Sequence, residues 1–261
     1  MANYFYHPSA DQGTGDGSSE ANAKQYSSSD LSNAFSTAGA GGTVFFLDGS
    51  YTLPNSIDTG VATLTLQSLN RHGATLSKST PGEIQNGGSS VTSTTYKDFV
   101  VTNIIFRGKS TGSIFILDGI KGTISSTLVS LFHGEGDAQQ VRNSSFLISA
   151  AMSSHIFKQM NNAIVENCTI AVDGTSLSAN AVTNATTPST FKNTILMSNT
   201  AGVIATGFSS SNAQNCCFHN VTGVSSGGTN NIFSDPQLVD VVNNDFRLRP
   251  SSPCINAGTA S

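Results

Sequence analysis

At 261 residues the chain is long enough to bury a sizeable core as one unit, and no break in composition argues for a split. Only 11% of its residues are charged, well under the roughly 25% of an ordinary soluble domain, with Ser, Thr, Asn and Gly taking their place. A net charge of -4 with 12 scattered Lys and Arg excludes a phosphate-neutralising stripe, and hence nucleic acid; no apolar run approaches the roughly 18 residues of a membrane-spanning helix.

The chain opens Met1-Ala-Asn-Tyr4-Phe5-Tyr6-His-Pro8, without the basic and then apolar regions of a Sec signal, so no such export is expected. Residues 1–12 read as an N-terminal arm whose aromatics Tyr4, Phe5 and Tyr6 either dock onto a partner or pack beneath the first coil. Next, Ser29-Asp30-Leu31-Ser-Asn-Ala34-Phe35-Ser-Thr-Ala38 sets apolar residues at i, i+3, i+4 and i+7 behind a Ser N-cap and stops at Gly39, Gly41 and Gly42. This predicts one short capping helix over about 29–38. Thr43 to Leu47 and Tyr51 to Leu53, separated by Asp48-Gly49, read as the first strands.

A short pattern then repeats: an extended residue, a spacer, Asn, two residues and an apolar residue. It occurs as Val101-Thr-Asn103-Ile-Ile-Phe106, Val141-Arg-Asn143-Ser-Ser-Phe146, Val165-Glu-Asn167-Cys-Thr-Ile170, Phe191-Lys-Asn193-Thr-Ile-Leu196 and Ala213-Gln-Asn215-Cys-Cys-Phe218. Successive Asn residues are 40, 24, 26 and 22 positions apart, and Gly122 to Leu128 supplies a coil inside the long interval. A period near 24 residues is one turn of a parallel β-helix, in which each coil buries its apolar face against its neighbours. Phe106, Phe146, Ile170, Leu196 and Phe218 are predicted to form one interior column. The repeated Asn tolerates a left-handed bend and can bond to its equivalent one coil away, giving a structural ladder of Asn143, Asn167, Asn193 and Asn215.

Cys168 and Cys216 follow the ladder Asn and read as small fillers. With Cys217 and Cys254 they lack paired spacing, so buried thiols are expected, without a disulfide framework, zinc site or other metal. The end, Asp235-Pro236 through Phe246-Arg-Leu248 to Pro253-Cys254-Ile255-Asn-Ala-Gly258, is irregular and reads as a closing lid over about 235–261.

The segments Thr14-Gly-Asp-Gly-Ser-Ser19, Ala21-Asn-Ala23 and Gly41-Gly-Thr-Val-Phe-Phe-Leu-Asp-Gly-Ser-Tyr-Thr52 resemble the opening of pectate-lyase-like β-helix proteins. The closing Asp235-Pro, Phe246-Arg-Leu and Ser252-Pro-Cys-Ile-Asn-Ala-Gly258 resemble the last coil of bacterial and phage members of that group. The resemblance implies an all-β, single-stranded right-handed parallel β-helix over residues 13–261. Because the fold serves lyases, hydrolases, adhesins and virion spikes alike, it leaves function open.

Glycan cleavage needs facing carboxylates, or in the lyases Asp-bound calcium with a basic residue. The polygalacturonase-like set is missing. His133-Gly-Glu135-Gly-Asp137 is the densest titratable cluster, making His133, Glu135 and Asp137 the catalytic candidates, although flanking Gly residues read first as a turn. Arg107 and Lys109 could grip an anionic glycan but equally suit solvated surface, and His155 and His219 read as satisfied structural histidines. No cofactor is expected. The leading expectation is a non-enzymatic bacteriophage virion surface protein, either a capsid decoration or a tail-associated spike. It would contact other virion proteins and a host surface glycan, and the resemblance implies a homotrimer. The alternative is a polysaccharide lyase or depolymerase.

Overall fold

A computed structural model of the chain describes residues 2–54, 63–86, 93–108, 113–125, 128–134, 138–149, 152–173, 180–183, 189–199, 203–204, 212–222, 224 and 228–259. Short strands stack in parallel to form an all-β solenoid. One ten-stranded sheet begins with Lys24–Gln25, Asn3–His7 and Gly42–Phe46. It then takes one strand from each following coil, from Thr63–Ser68 to Ala213–Gln214, in chain order. A thirteen-stranded sheet forms the remaining wall. Its long strands Ala74–Asn86 and Val100–Gly108 bridge two faces, which later coils divide between paired strands such as Lys121–Ile124 and Leu128–Gly134. Equivalent residues Lys121, Ser145, Thr169, Ile195 and Cys217 stand one above the next, so the 24, 24, 26 and 22 residues between them are the coil lengths. Among the described residues, no helix is long and apolar enough to cross a membrane.

Strand alternation sends every second side chain inward, and parallel pairing stacks those side chains into columns. Tyr4, Val44, Leu66, Tyr96, Leu117, Val141, Val165, Phe191 and Ala213 form one such column, all buried. Val101, Gly122, Phe146, Ile170, Leu196 and Phe218 belong to a second. Here the structure corrects the sequence-based column: Phe106 pairs instead with Ile84 and Phe132, and the position beneath Phe146 belongs to Gly122. A Cβ at Gly122 would collide with the Phe146 ring, so the large residue fills the space its small neighbour leaves. Aromatic rings continue through the interior, with Phe132 at 5.1 Å from Phe146 and 5.0 Å from Phe157, and Phe157 at 5.4 Å from Phe191. Each fully buried ring contributes on the order of 1.5–3 kcal/mol by leaving water.

The N-terminal segment differs from the arm the sequence suggested. Asn3–His7 is a strand paired with both Lys24–Gln25 and Gly42–Phe46, so the sheet starts before the helix. The helix spans Leu31–Ala38 and buries Leu31, Ala34, Phe35 and Ala38 over this end before Gly39 breaks it at φ +69°. Its N-cap is Asp30, not Ser29, and the Asp30 side chain makes no capping bond. The carboxylate is drawn instead into contacts with Lys24 Nζ at 2.9 Å, the Tyr6 hydroxyl at 3.2 Å and Asn33 Nδ2 at 3.1 Å. Burial alone would raise the Asp30 pKa, but hydrogen bonds from Asn33 and Lys24, the Lys24 charge and the Tyr6 hydroxyl hold it below the usual carboxylate value.

At the other end, the predicted lid is a strap along the side of the stack. The antiparallel pair Leu238–Asp240 and Asp245–Leu248 sits outside the parallel sheets. Leu238, Val241, Phe246 and Leu248 pack with Ala171, Ile195 and Met197 of the solenoid, while Asn244 Nδ2 reaches Thr123 Oγ1 at 3.3 Å. Thr123, Leu147, Ala171 and Met197 form an outward column whose last three members are nonetheless buried. An apolar outward column has to be covered, and the strap covers it at Ala171 and Met197.

Candidate functional site: basic side chains stacked across coils

The outer wall carries its charges in two arrangements. On the ten-stranded sheet, the outward column reads Lys97, Asp118, Arg142, Glu166, Lys192, with the sign alternating at every coil. Neighbouring strands lie about 4.8 Å apart, so alternation places opposite charges next to one another along the column. The Lys192 to Glu166 separation of 3.7 Å shows one such contact.

The second arrangement breaks that rule. Phe106, Phe132 and Phe157 point inward from adjacent coils, which turns the next residues, Arg107, His133 and Lys158, outward in register. Lys78 lies on the neighbouring strand Ala74–Asn86 and donates through Nζ to the Glu83 carbonyl at 2.6 Å. Burial lowers the Lys78 pKa, partly opposed by the Glu83 charge. Glu83 is the counter-ion of the row: Arg107 Nη1 donates to its Oε2 at 2.7 Å, and its Oε1 lies 3.8 Å from His133 Nδ1. His133 Nε2 donates to Gln159 Oε1 at 2.9 Å, fixing the ring with Nδ1 toward Glu83. His133 is only 6% exposed, whereas the Arg107 and Glu83 side chains keep 24% and 27% exposure. The row therefore has an anchored centre and accessible cations on either side.

Arg107, His133 and Lys158 stand in register on successive coils, whereas the column on the ten-stranded sheet alternates its signs, so the two walls differ in how their charges are arranged. The row's partly exposed cations, Arg107 and Lys158, flank the buried His133 and suit an extended anion lying along the solenoid axis.

Of the sequence candidates, His133 lies in this row, while Glu135 and Asp137 lie outside the described residues, as does Lys109. Tyr4 and Tyr6 are 6% and 0% exposed and point into the core, packing beneath the coil. Phe5 faces the other way and stacks on Phe45 with ring centroids 4.9 Å apart. The Asn ladder is continuous through hydrogen bonds: Asn143 donates to Asp118 Oδ1 at 2.8 Å, Asn167 to Asn143 at 3.3 Å and Asn193 to Asn167 at 3.0 Å. Between Asn193 and Asn215 the strap residue Thr259 intervenes, accepting at its carbonyl from Asn193 and at Oγ1 from Asn215. All four ladder residues have φ between +49° and +54°. In the preceding coil the bend is Gly119 at φ +69°, where a Cβ would meet the Asp98 carboxylate.

Sequence reasoning missed Lys78, Glu83, Lys158 and Gln159 as members of the row. A signal was present in the dipeptides Phe106-Arg107, Phe132-His133 and Phe157-Lys158, each an inward aromatic followed by an outward base at coil spacing. Glu83 carries no such mark, because its position depends on the irregular register between Ala74–Asn86 and Val100–Gly108.

No protein-family model and no curated protein sequence matches the chain. Among solved structures, the crystal structure of pectate lyase Pel9A is similar with a TM-score of 0.45 and 13% identity, covering 100% of this chain and 93% of that chain. The strand register of this chain is that of a parallel β-solenoid, and a likeness at that level says nothing about its activity.

Proposed function

We propose that the chain is a non-catalytic, surface-displayed β-solenoid of a bacteriophage particle that adheres to anionic host glycans through Lys78, Arg107 and Lys158, arranged around the buried His133. The observation that carries the adhesive part is the in-register stack of Arg107, His133 and Lys158, against the alternating column on the ten-stranded sheet. The virion part, whether capsid decoration or tail attachment, rests on the resemblance of the closing segment to the last coil of bacterial and phage β-helix proteins. A polyanionic glycan fits the row better than a compact anion because the donors are distributed along the axis and do not converge on one point.

Binding of the purified chain to arrayed neutral and acidic bacterial polysaccharides tests this reading. Acidic polymers should be retained and neutral ones not, with affinity falling as salt rises. Arg107→Gln with Lys158→Gln should weaken binding about tenfold or more, on the scale of two charge-assisted contacts. Absence of binding to every acidic polymer would remove the adhesive role, and release of oligosaccharide would overturn the non-catalytic assignment. Detection of the chain by mass spectrometry in purified phage particles tests the location separately.

A further inference from the structure

The strap meets the last parallel coils along a crevice of about 170 Å³ lined by Ile195, Cys216, Cys217, Ile232, Leu248 and Cys254 among others. Cys217 stands on the solenoid strand Cys217–His219 and is buried, whereas Cys254 comes from the strap and is partly exposed. Both residues line this one crevice, and the Cys217 thiol donates to the Ser234 carbonyl there at 3.3 Å. Of the other two cysteines, Cys168 lies inside the stack, where its thiol donates to the Val141 and Glu166 carbonyls, and the Cys216 thiol donates to the Gln214 carbonyl of its own bend. Among the described residues, no three His, Cys, Asp or Glu side chains converge as a metal site.

We propose that Cys217 and Cys254 form a redox pair whose oxidation ties the C-terminal strap covalently to the solenoid. With a disulfide oxidant such as oxidised glutathione, the accessible Cys254 thiolate attacks one glutathione sulfur and releases the first glutathione as a thiol. The Cys217 thiolate then attacks the Cys254 sulfur of the mixed disulfide and releases the second. Two Cys S–H bonds are exchanged for one S–S bond, and the two glutathione thiols carry away both protons and both electrons. Burial, followed by the contact with Cys254, raises the Cys217 pKa, so the second step is the slow one and accelerates with pH. The bond would secure the cover over Ala171 and Met197 and hold Thr259 in the Asn ladder.

The test treats the full chain with oxidised glutathione, quenches in acid and maps peptides without reductant. A Cys217–Cys254 linked peptide is expected, with two of the four thiols lost in the denatured protein. Proteolytic release of the strap should slow by roughly tenfold or more, as expected for a cross-link that restricts the opened state. Cys254→Ser should abolish the linked peptide, while Cys168→Ser should retain it. All four thiols remaining titratable, or Cys254 persisting as a mixed disulfide with glutathione, would overturn the proposal.

Discussion

Replacing Asn167 tests whether the ladder stabilises the bend through its backbone, its side chain or both. Asn167 holds φ +54°, donates to Asn143 at 3.3 Å and accepts from Asn193 at 3.0 Å. An Ala there loses both side-chain bonds and must occupy the left-handed region, which costs an L-residue roughly 1–2 kcal/mol. Each lost bond contributes about 0.5–1.5 kcal/mol, toward the lower end here because water reaches this exposed bend. Asn167→Ala should therefore destabilise by about 2–4 kcal/mol, and Asn167→Gly by about 1 kcal/mol less, since Gly enters the left-handed region freely. Urea unfolding followed by far-ultraviolet circular dichroism, with the slope checked for constancy, reads the difference as a midpoint shift. Equal losses in Ala and Gly would refute the backbone contribution, and unchanged midpoints in both would refute the ladder as a source of stability.

Phe132 packs against Phe115 of its own coil and Phe146 and Phe157 of the next, so Phe132→Ala should cost about 3–5 kcal/mol and Phe132→Leu clearly less, measured by the same unfolding midpoint. The folded Asp30 pKa is depressed, so its stabilisation is fully present above the ordinary carboxyl value of about 4 and is lost as pH falls through the lower folded value. Asp30→Asn should flatten this acid limb and cost about 1–3 kcal/mol at neutral pH, followed through the fluorescence of the buried Tyr4 and Tyr6. Deleting residues 235–259 should uncover Ala171 and Met197 and remove Thr259 from the ladder. Binding of an apolar dye and self-association in sedimentation should follow, and a dye-silent, unassociated truncated chain would show that the strap is not the cover.

The fold class was legible from one dimension because a solenoid coil makes its principal contacts with the next coil, leaving a repeat in the chain. Asn143, Asn167, Asn193 and Asn215 marked that repeat, and the apolar spacing of Leu31, Ala34, Phe35 and Ala38 marked the helix. Phe106 was misplaced because the long strand Val100–Gly108 serves two faces, and which of its residues meets Phe132 depends on how the strand bends in space. Asp30 likewise looked like a local capping residue until folding brought Lys24 and Tyr6 to its carboxylate.

The site was readable only in part. His133 stood out by composition, but its partners Glu83 and Gln159 are 50 and 26 residues away in the chain and were joined to it by cross-coil packing. The same holds for the strap, whose contact with Ala171 and Met197 brings Cys254 beside Cys217. Amino-acid spacing determined the coil and its inward columns, because strand alternation and coil length are local. Tertiary structure decided which outward groups meet, because lateral docking and the placement of charges from different coils satisfy burial and electrostatics between distant segments and leave no period in the sequence.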